Sequence, residues 1–497
     1  MIDINNVAPA GVFDFQREHI QPACNCSSPD AFKEPFLLKQ KTAEAYRDFL
    51  RYELQPSLID VSSPKFIGHM TGPVPPFINE LQQWAGQLNQ NLVKFETAGA
   101  GTFLERQVLG SFHRLFYNES PVFYERYIQD PGVSLGNITS GGTLSNLTAL
   151  SYALSKQLSL KGARFREDGL EKSLQDAGYN HVVVIGSSHC HYSFQKVMRL
   201  LGLGTNAFIS IDTQQLEGNE GRQLLEAAIR HQASQGALVL ALVGVAGTTE
   251  AGLIDPLVMM GEVAMAHQLH FHVDAAFGGA FAFSERLSDR LAGIDHADSI
   301  TLCGHKQLYL PMGTSLCLFK SPGFARYAES NSYYQARKGS VDLGKYTIEG
   351  SRPFSALIFH GALQVIGKEG YAEILESNFD RAMLFRDMLM AAGDFQLYRD
   401  PHLNIVLYRY VPAHLQEKAQ KGTLSDTERA GLNELNVYLQ QEQFRRKNSF
   451  VSYTELPDPS GQRHVWLRTV FMNPATTVQH LQEILEEQRD IIRLHNK

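Results

Sequence analysis

Long apolar runs are missing from this sequence. No stretch reaches the ~18 uninterrupted apolar residues that a membrane-spanning helix needs, and the opening residues MIDINNVAPAG lack the basic-then-apolar layout of a secretory signal. A cytoplasmic protein with no membrane partner is therefore expected. Cysteine is scarce and odd in number: five in 497 residues, at positions 24, 26, 190, 303 and 317. An odd count does not make a disulfide framework and fits reduced thiols. Cys24-Asn-Cys26 is half of a metal-site pattern, but no second Cys/His pair has matching spacing, so no metal is expected. Long basic runs are also absent, and the formal charge is −7. That argues against nucleic acid as a partner. Neither G-x-G-x-x-G opening a helix after a strand nor G-x(4)-G-K-[ST] is present, so dinucleotide and P-loop sites lose support. Internal repeats and low-complexity tracts are lacking.

What is present is ordinary globular composition, 43% apolar and 20% charged, over a length that suits two to four structural domains. Residues 1–95 hold two helical patterns, near Leu37 to Leu54 and Pro76 to Leu92, with no core of their own, and read as an arm that packs on another domain or a second subunit. A long amphipathic helix follows from FETAGAGTFLERQVLGSFHRLF. Then come apolar strands that each end in small or polar residues. GNITSGGTLSNLTALSYALSKQL (136–158) is a turn feeding a helix whose apolar face carries Leu147, Leu150, Leu154 and Leu158. NHVVVIGSSHCHYSF places His189, His191, Tyr192 and Ser193 after a buried strand, and GALVLALVGVAGTTEAG ends in Gly247, Thr248, Thr249, Glu250 and Gly252. The near-continuous apolar run of the latter is typical of a fully buried parallel strand.

The segment FHVDAAFGGAFAFSERLSDRLAGIDHADSITLCGHKQ (271–307) contains two more strands, one ending in Asp274 and one delivering His305 and Lys306. Strand ends in one parallel sheet meet at its carboxyl edge, where open α/β sheets bind ligands. A carboxylate and a lysine in one crevice suit pyridoxal 5'-phosphate (PLP). Its aldehyde forms a Schiff base with a lysine amine, and a carboxylate keeps its pyridine nitrogen protonated. Gly141, Gly142 and Thr143, at a helix start, offer bare N–H groups to its phosphate. GTSLCLFK (313–320) reads as an antiparallel strand, and the polar, tyrosine-bearing residues 321–353 read as a mobile lid. Helical periodicity then runs from Ala356 to about Met390. Short strands and helices alternate to the end, as in an α+β domain.

S-G-G-T-x-S-N, H-Y-S, G-T-T-E-x-G, H-V-D-A-A-x-G-G and H-K-Q, in this order, resemble the group II PLP-dependent amino-acid decarboxylases over about residues 60–480. FIGHMTGPVPP, LNQNLVKFET and DLGKYTIEGSRP are most similar to bacterial aspartate 1-decarboxylases, with diaminobutyrate and glutamate decarboxylases near. The resemblance implies the aspartate-aminotransferase (type I) PLP fold: an α/β domain with a mainly parallel sheet and helices on both faces over 96–360, a helical arm over 1–95, and a small α+β domain over 361–497. It implies Lys306 as the Schiff-base lysine, Asp274 as partner of the ring nitrogen, His191 and Ala276 on the two ring faces, Gly142, Thr143 and His305 at the phosphate, and Thr249 near the ring hydroxyl. Arg468, in WLRTVFMNPATT, would pair with the substrate α-carboxylate, and His69 would lie near the substrate side chain. Among Tyr333, Tyr334 and Tyr346, Tyr334 is favoured as the proton donor to Cα. The expected activity is loss of the α-carboxylate of a small polar L-amino acid (aspartate, diaminobutyrate or glutamate) as CO2, in a homodimer. Competing readings are an aminotransferase or other PLP lyase, and a PLP-fold binding protein without turnover.

Overall fold

The computed structural model describes residues 41–212, 218–330, 339–457 and 461–495. Its centre is set by the most apolar run. All nine residues of β4 (Ala237–Val245) are buried, as a strand with both faces covered must be. Around it lie β1 (Gly136–Thr139), β2 (His181–Ser187), β3 (Phe208–Ile211), β5 (His270–Asp274), β6 (Ser299–Cys303) and β7 (Ser315–Phe319). The spatial order is β1-β7-β6-β5-β4-β2-β3. β7 is antiparallel to both neighbours and the remaining ladder is parallel, so β7 alone runs against the sheet.

Alternation along the strands divides the core into two layers. Val183 and Ile185 of β2 join an apolar cluster with the helices Ala100–Tyr117 and Leu257–Ala266 on one face. Val182 and Val184 join a second cluster with the helices Gly142–Leu160 and Ser193–Leu200 on the other. The result is the helices-on-both-faces architecture expected from the sequence.

A second, wholly antiparallel sheet follows, ordered β10-β11-β9-β8, from β8 (Phe395–Leu397), β9 (Ile405–Tyr410), β10 (Ser452–Pro457) and β11 (Arg463–Val470). Phe385 and Leu389 of the helix Gly367–Ala392, Leu439 of Asp426–Arg446, and Ile484 and Ile491 of Val478–His495 pack with it. The helical stretch expected from Ala356 to Met390 is two helices, because Gly367 adopts φ +70° and ends Ser355–Val365. Likewise Pro76–Leu88 stops at Asn89, which is left-handed at φ 44°, short of the expected Leu92.

The arm is divided between the two sheets. Leu81 of Pro76–Leu88 meets Gly361 in the helix Ser355–Val365, while the Ile67 N–H donates to Phe450 O (3.0 Å) and the Val470 N–H to Ile67 O (2.6 Å). The expected lid differs from the structure over its described part. Leu343, Lys345, Tyr346 and Arg352 are buried, Lys345 Nζ donates to Pro131 O (2.9 Å) and Ser340 O (2.7 Å), and Arg352 pairs with buried Glu105. Pro131 and Glu105 belong to the main body, so residues 339–353 are anchored to it through Lys345 and Arg352. Residues 331–338, with Tyr333 and Tyr334, lie outside the described residues.

Candidate active site

Strand ends bring the site together. Asp274 is the last residue of β5, and Lys306 lies just beyond β6. His189 and His191 follow β2, Gly247 and Thr249 follow β4, and Gly141 to Thr143 connect β1 to the helix Gly142–Leu160. Together they line a cavity of about 230 Å³ whose walls include Gly142, Thr143, His191, Thr249, Asp274, Ala276, His305 and Lys306. It lies at the carboxyl edge beside the β2/β4 junction, where the strand order reverses.

Asp274 is buried, 6% exposed. Its Oδ1 accepts from the Ala276 N–H (3.1 Å) and its Oδ2 from Asn146 Nδ2 (3.0 Å). Each oxygen keeps a lone pair for a further donor. Burial holds the His191 imidazole below its usual range against the opposing pull of Asp274. Its Nδ1 accepts from the Ser193 N–H (3.2 Å), which leaves the other ring nitrogen as the N–H. His305 is also held low by burial and by Lys306, and its Nδ1–H donates to Thr314 O (3.1 Å).

Arg468, on β11, does not line this cavity but touches its rim. It donates from Nε to Thr249 O (2.9 Å) and Glu250 O (3.0 Å), from Nη2 to Thr249 O (2.6 Å) and from Nη1 to Gly68 O (3.2 Å). Burial pushes its guanidinium down to about 10, with Glu250 opposing. Exposed His69 also lies off the wall. Its Nδ1 is hydrogen-bonded to Thr71 Oγ1, and desolvation, Arg468 and Lys306, in that order, keep it below its usual range. Of the three lid tyrosines only Tyr346 is described. It is 1% exposed and its hydroxyl donates to Pro131 O (3.2 Å), which makes it a packing residue.

Sequence reasoning did not single out Asn146 and Cys303, which also line the cavity. Asn146 lies one helical turn after Gly142, a spacing that places both on one face and was the available signal. No comparable signal marks Cys303.

The residues fit PLP. Gly141 provides no side-chain cap to the helix it starts; the Leu144 and Ser145 N–H groups turn back to Gly141 O (3.0 and 3.1 Å), which leaves the Thr143 N–H at the helix start as a donor for a phosphate. The Asp274 carboxylate has unused acceptor capacity for a pyridinium N–H, and Lys306 shares its cavity. Fold and site together define a type I PLP enzyme.

Comparison with known proteins narrows this class. Residues 46–411 match the family described as pyridoxal-dependent decarboxylase conserved domain. The chain belongs to that family and is a PLP-dependent amino-acid decarboxylase, with PLP its cofactor. It is 39% identical to the aspartate 1-decarboxylase of Aliivibrio fischeri over 87% of this chain and 80% of that protein. It is 29% identical to the L-2,4-diaminobutyrate decarboxylase of Rhizobium meliloti over 77% and 72% respectively. The crystal structure of mouse CSAD superposes with TM-score 0.80 at 21% identity, covering 93% of this chain and 91% of that one, a likeness of fold.

Proposed function

We propose that the chain removes the α-carboxylate of L-aspartate, taking up one proton to give CO2 and 3-aminopropanoate. The observation that carries this is the charge of the site. The described cavity wall holds a single carboxylate, Asp274, while Lys306 lines the wall and Arg468, opposed by Glu250, lies at its rim. Asp274 is committed to the cofactor ring. A second substrate carboxylate is favoured by such a field, whereas the side-chain ammonium of diaminobutyrate finds no partner among the described lining residues.

PLP, when bound, supplies an electron sink for the bond to the departing carboxylate. Lys306 anchors it at Nζ. Asp274 holds the proton on its ring nitrogen, and this preorganised charge stabilises negative charge developing at Cα. Neutral His191 would cover one ring face and Ala276 the other. Gly142, Thr143 and His305 would bind the phosphate, His305 by taking up a proton at Nε2 beside that dianion while its Nδ1–H stays on Thr314 O, and Thr249 would lie by the ring hydroxyl. Arg468 spends Nε and one N–H on each terminal nitrogen on backbone carbonyls. One N–H remains on each of Nη1 and Nη2, a fork that matches the α-carboxylate. His69 stands by the substrate side chain, and Tyr334 delivers the proton to Cα.

The division at about residues 95 and 360, a cytoplasmic location and a homodimer belong to the same proposal. Exposed Tyr46, Leu50, Tyr52, Trp84, Phe95 and Phe103 concentrate in and just after the arm, and a second copy of the chain would cover them. No described helix is long and apolar enough to cross a membrane.

The test is CO2 release from L-aspartate, L-glutamate and L-2,4-diaminobutyrate by the PLP-loaded protein, beside Lys306→Ala. Release from L-aspartate that vanishes in the variant is expected. Preferential release from diaminobutyrate would refute the charge argument.

A further inference from the structure

Behind Asp274 a chain of polar side chains crosses the interior, and nothing in the reaction outlined above uses it. His270, His272 and Asp274 alternate along β5 and so share one face of the sheet. Asn146 Nδ2 donates to Asp274 Oδ2 (3.0 Å) and to Ser193 Oγ (3.1 Å). Asn146 Oδ1 faces His272 Nε2 (3.1 Å) and Thr301 Oγ1 (2.7 Å). His272 Nδ1 faces Ser299 Oγ (2.8 Å), and the same Oγ faces His270 Nε2 (2.8 Å). Asn146, His270, His272 and Ser299 are all at most 2% exposed.

The direction of every bond follows from its first member. A carboxylate only accepts, so the Asn146 amide presents its nitrogen to Asp274 and its oxygen to the other side. That oxygen only accepts, from the Thr301 hydroxyl and across the 3.1 Å contact from His272, which makes His272 Nε2 the protonated nitrogen. Burial keeps His272 neutral, so its Nδ1 accepts and the Ser299 hydroxyl donates to it. Ser299 has one proton, and therefore receives its second bond from the His270 Nε2–H. Each donor points toward Asp274. Aligned hydrogen bonds polarise one another, so the last link is strengthened by those behind it.

The outer end is well defined. The His270 ring is stacked on Phe324 (centroids 5.0 Å, 12° between planes). Its Nδ1 is buried without a hydrogen-bond partner among the described residues and lies 3.9 Å from Asp298 Oδ2. Asp298 and His270 line a surface groove of about 520 Å³ that also includes Lys156 and Lys320. The chain thus joins the ring-nitrogen partner of the cofactor to a different surface of the protein.

We infer that His270, Ser299, His272 and Asn146 form a one-directional hydrogen-bond relay that strengthens donation into Asp274 Oδ2, so that the shared proton stays on the cofactor ring nitrogen. These are positioning residues acting through Asp274. The inference rests on Asp274 being the ring-nitrogen partner. Losing an outer link weakens donation to the carboxylate and lets the proton move toward it.

The test uses holoenzyme carrying PLP labelled with 15N at the ring nitrogen, comparing unaltered protein with His270→Leu and His270→Gln. In the Leu variant the resonance should move toward that of neutral pyridine, and the Kd for PLP should rise about threefold to tenfold. The Gln side chain restores an N–H toward Ser299, so that variant should stay close to the unaltered protein. Identical resonances in all three would overturn the relay, since mere packing at His270 does not reach the ring. Should His270→Leu fail to fold, Ser299→Ala interrupts the same relay from inside, and an unchanged resonance there overturns it equally. A neutral ring nitrogen in the unaltered protein would instead remove the role given to Asp274, and the relay with it.

Discussion

At the scale of single residues, burial decides the charge states. Desolvation takes His113 and His270 down to about 4 and His272 to about 3, from a free value of 6.5. The unfolded chain therefore binds more protons than the folded one between those values, and stability is present above about pH 6.5 and lost as pH falls toward 4. Each histidine contributes roughly 2 kcal/mol of that loss between pH 6.5 and pH 5. Denaturant midpoints of the apoprotein at pH 7.5 and 5.0 measure it directly. His113→Gln should shrink the difference between them, and equal midpoints in the unaltered protein would contradict these buried neutral states. Residue roles were unevenly legible in the sequence. Asp274 and Lys306 stand at the ends of short apolar strands, so their meeting follows from strand direction alone. Asn146 reaches its carboxylate across 128 positions, and a helical asparagine carries no mark of such a partner.

Among the elements, the loop after β4 is the most constrained part of the site. Gly247 has φ +95°, and a Cβ there would stand 2.9 Å from the Gly278 nitrogen. An alanine would meet both the left-handed backbone cost and a fixed main chain that has no room to yield. Gly247→Ala should lower stability by about 1–3 kcal/mol and weaken PLP binding, as read by thermal melting with and without cofactor. A melt indistinguishable from that of the unaltered protein would show that the loop can shift. Most strands were evident from their apolar runs and their small-residue ends. The errors came where backbone conformation overrode periodicity, as at Gly367 and Asn89, or where long-range partners pinned a polar segment. Residues 339–353 look like a lid by composition, yet Lys345 and Arg352 find their partners at Pro131 and Glu105, which local sequence does not reveal.

For the whole molecule, the arm links the parts. Its residues 65–67 bond to Phe450 and Val470 of the C-terminal part, and Gly68 O accepts from Arg468, while its helix rests on the main body. The aromatic residues it leaves exposed lead to the expectation of sedimentation at twice the 55.5 kDa chain mass. Trp84→Glu together with Phe103→Glu should shift the protein toward monomer. A monomeric unaltered protein at micromolar concentration would refute the dimer.

The reversed strand β7 also bears on the order in which this chain acquires its shape. β1 pairs with β7 alone among the described strands, Gly136 opposite Leu318. On the ribosome β1 therefore emerges long before β7, its neighbour among the described strands, while β2 to β6 can assemble as they appear. Closure over so long a loop is slow. The turn at Gly141 and Gly142 follows directly from β1, so this wall of the cavity waits for its strand partner until β7 has been made.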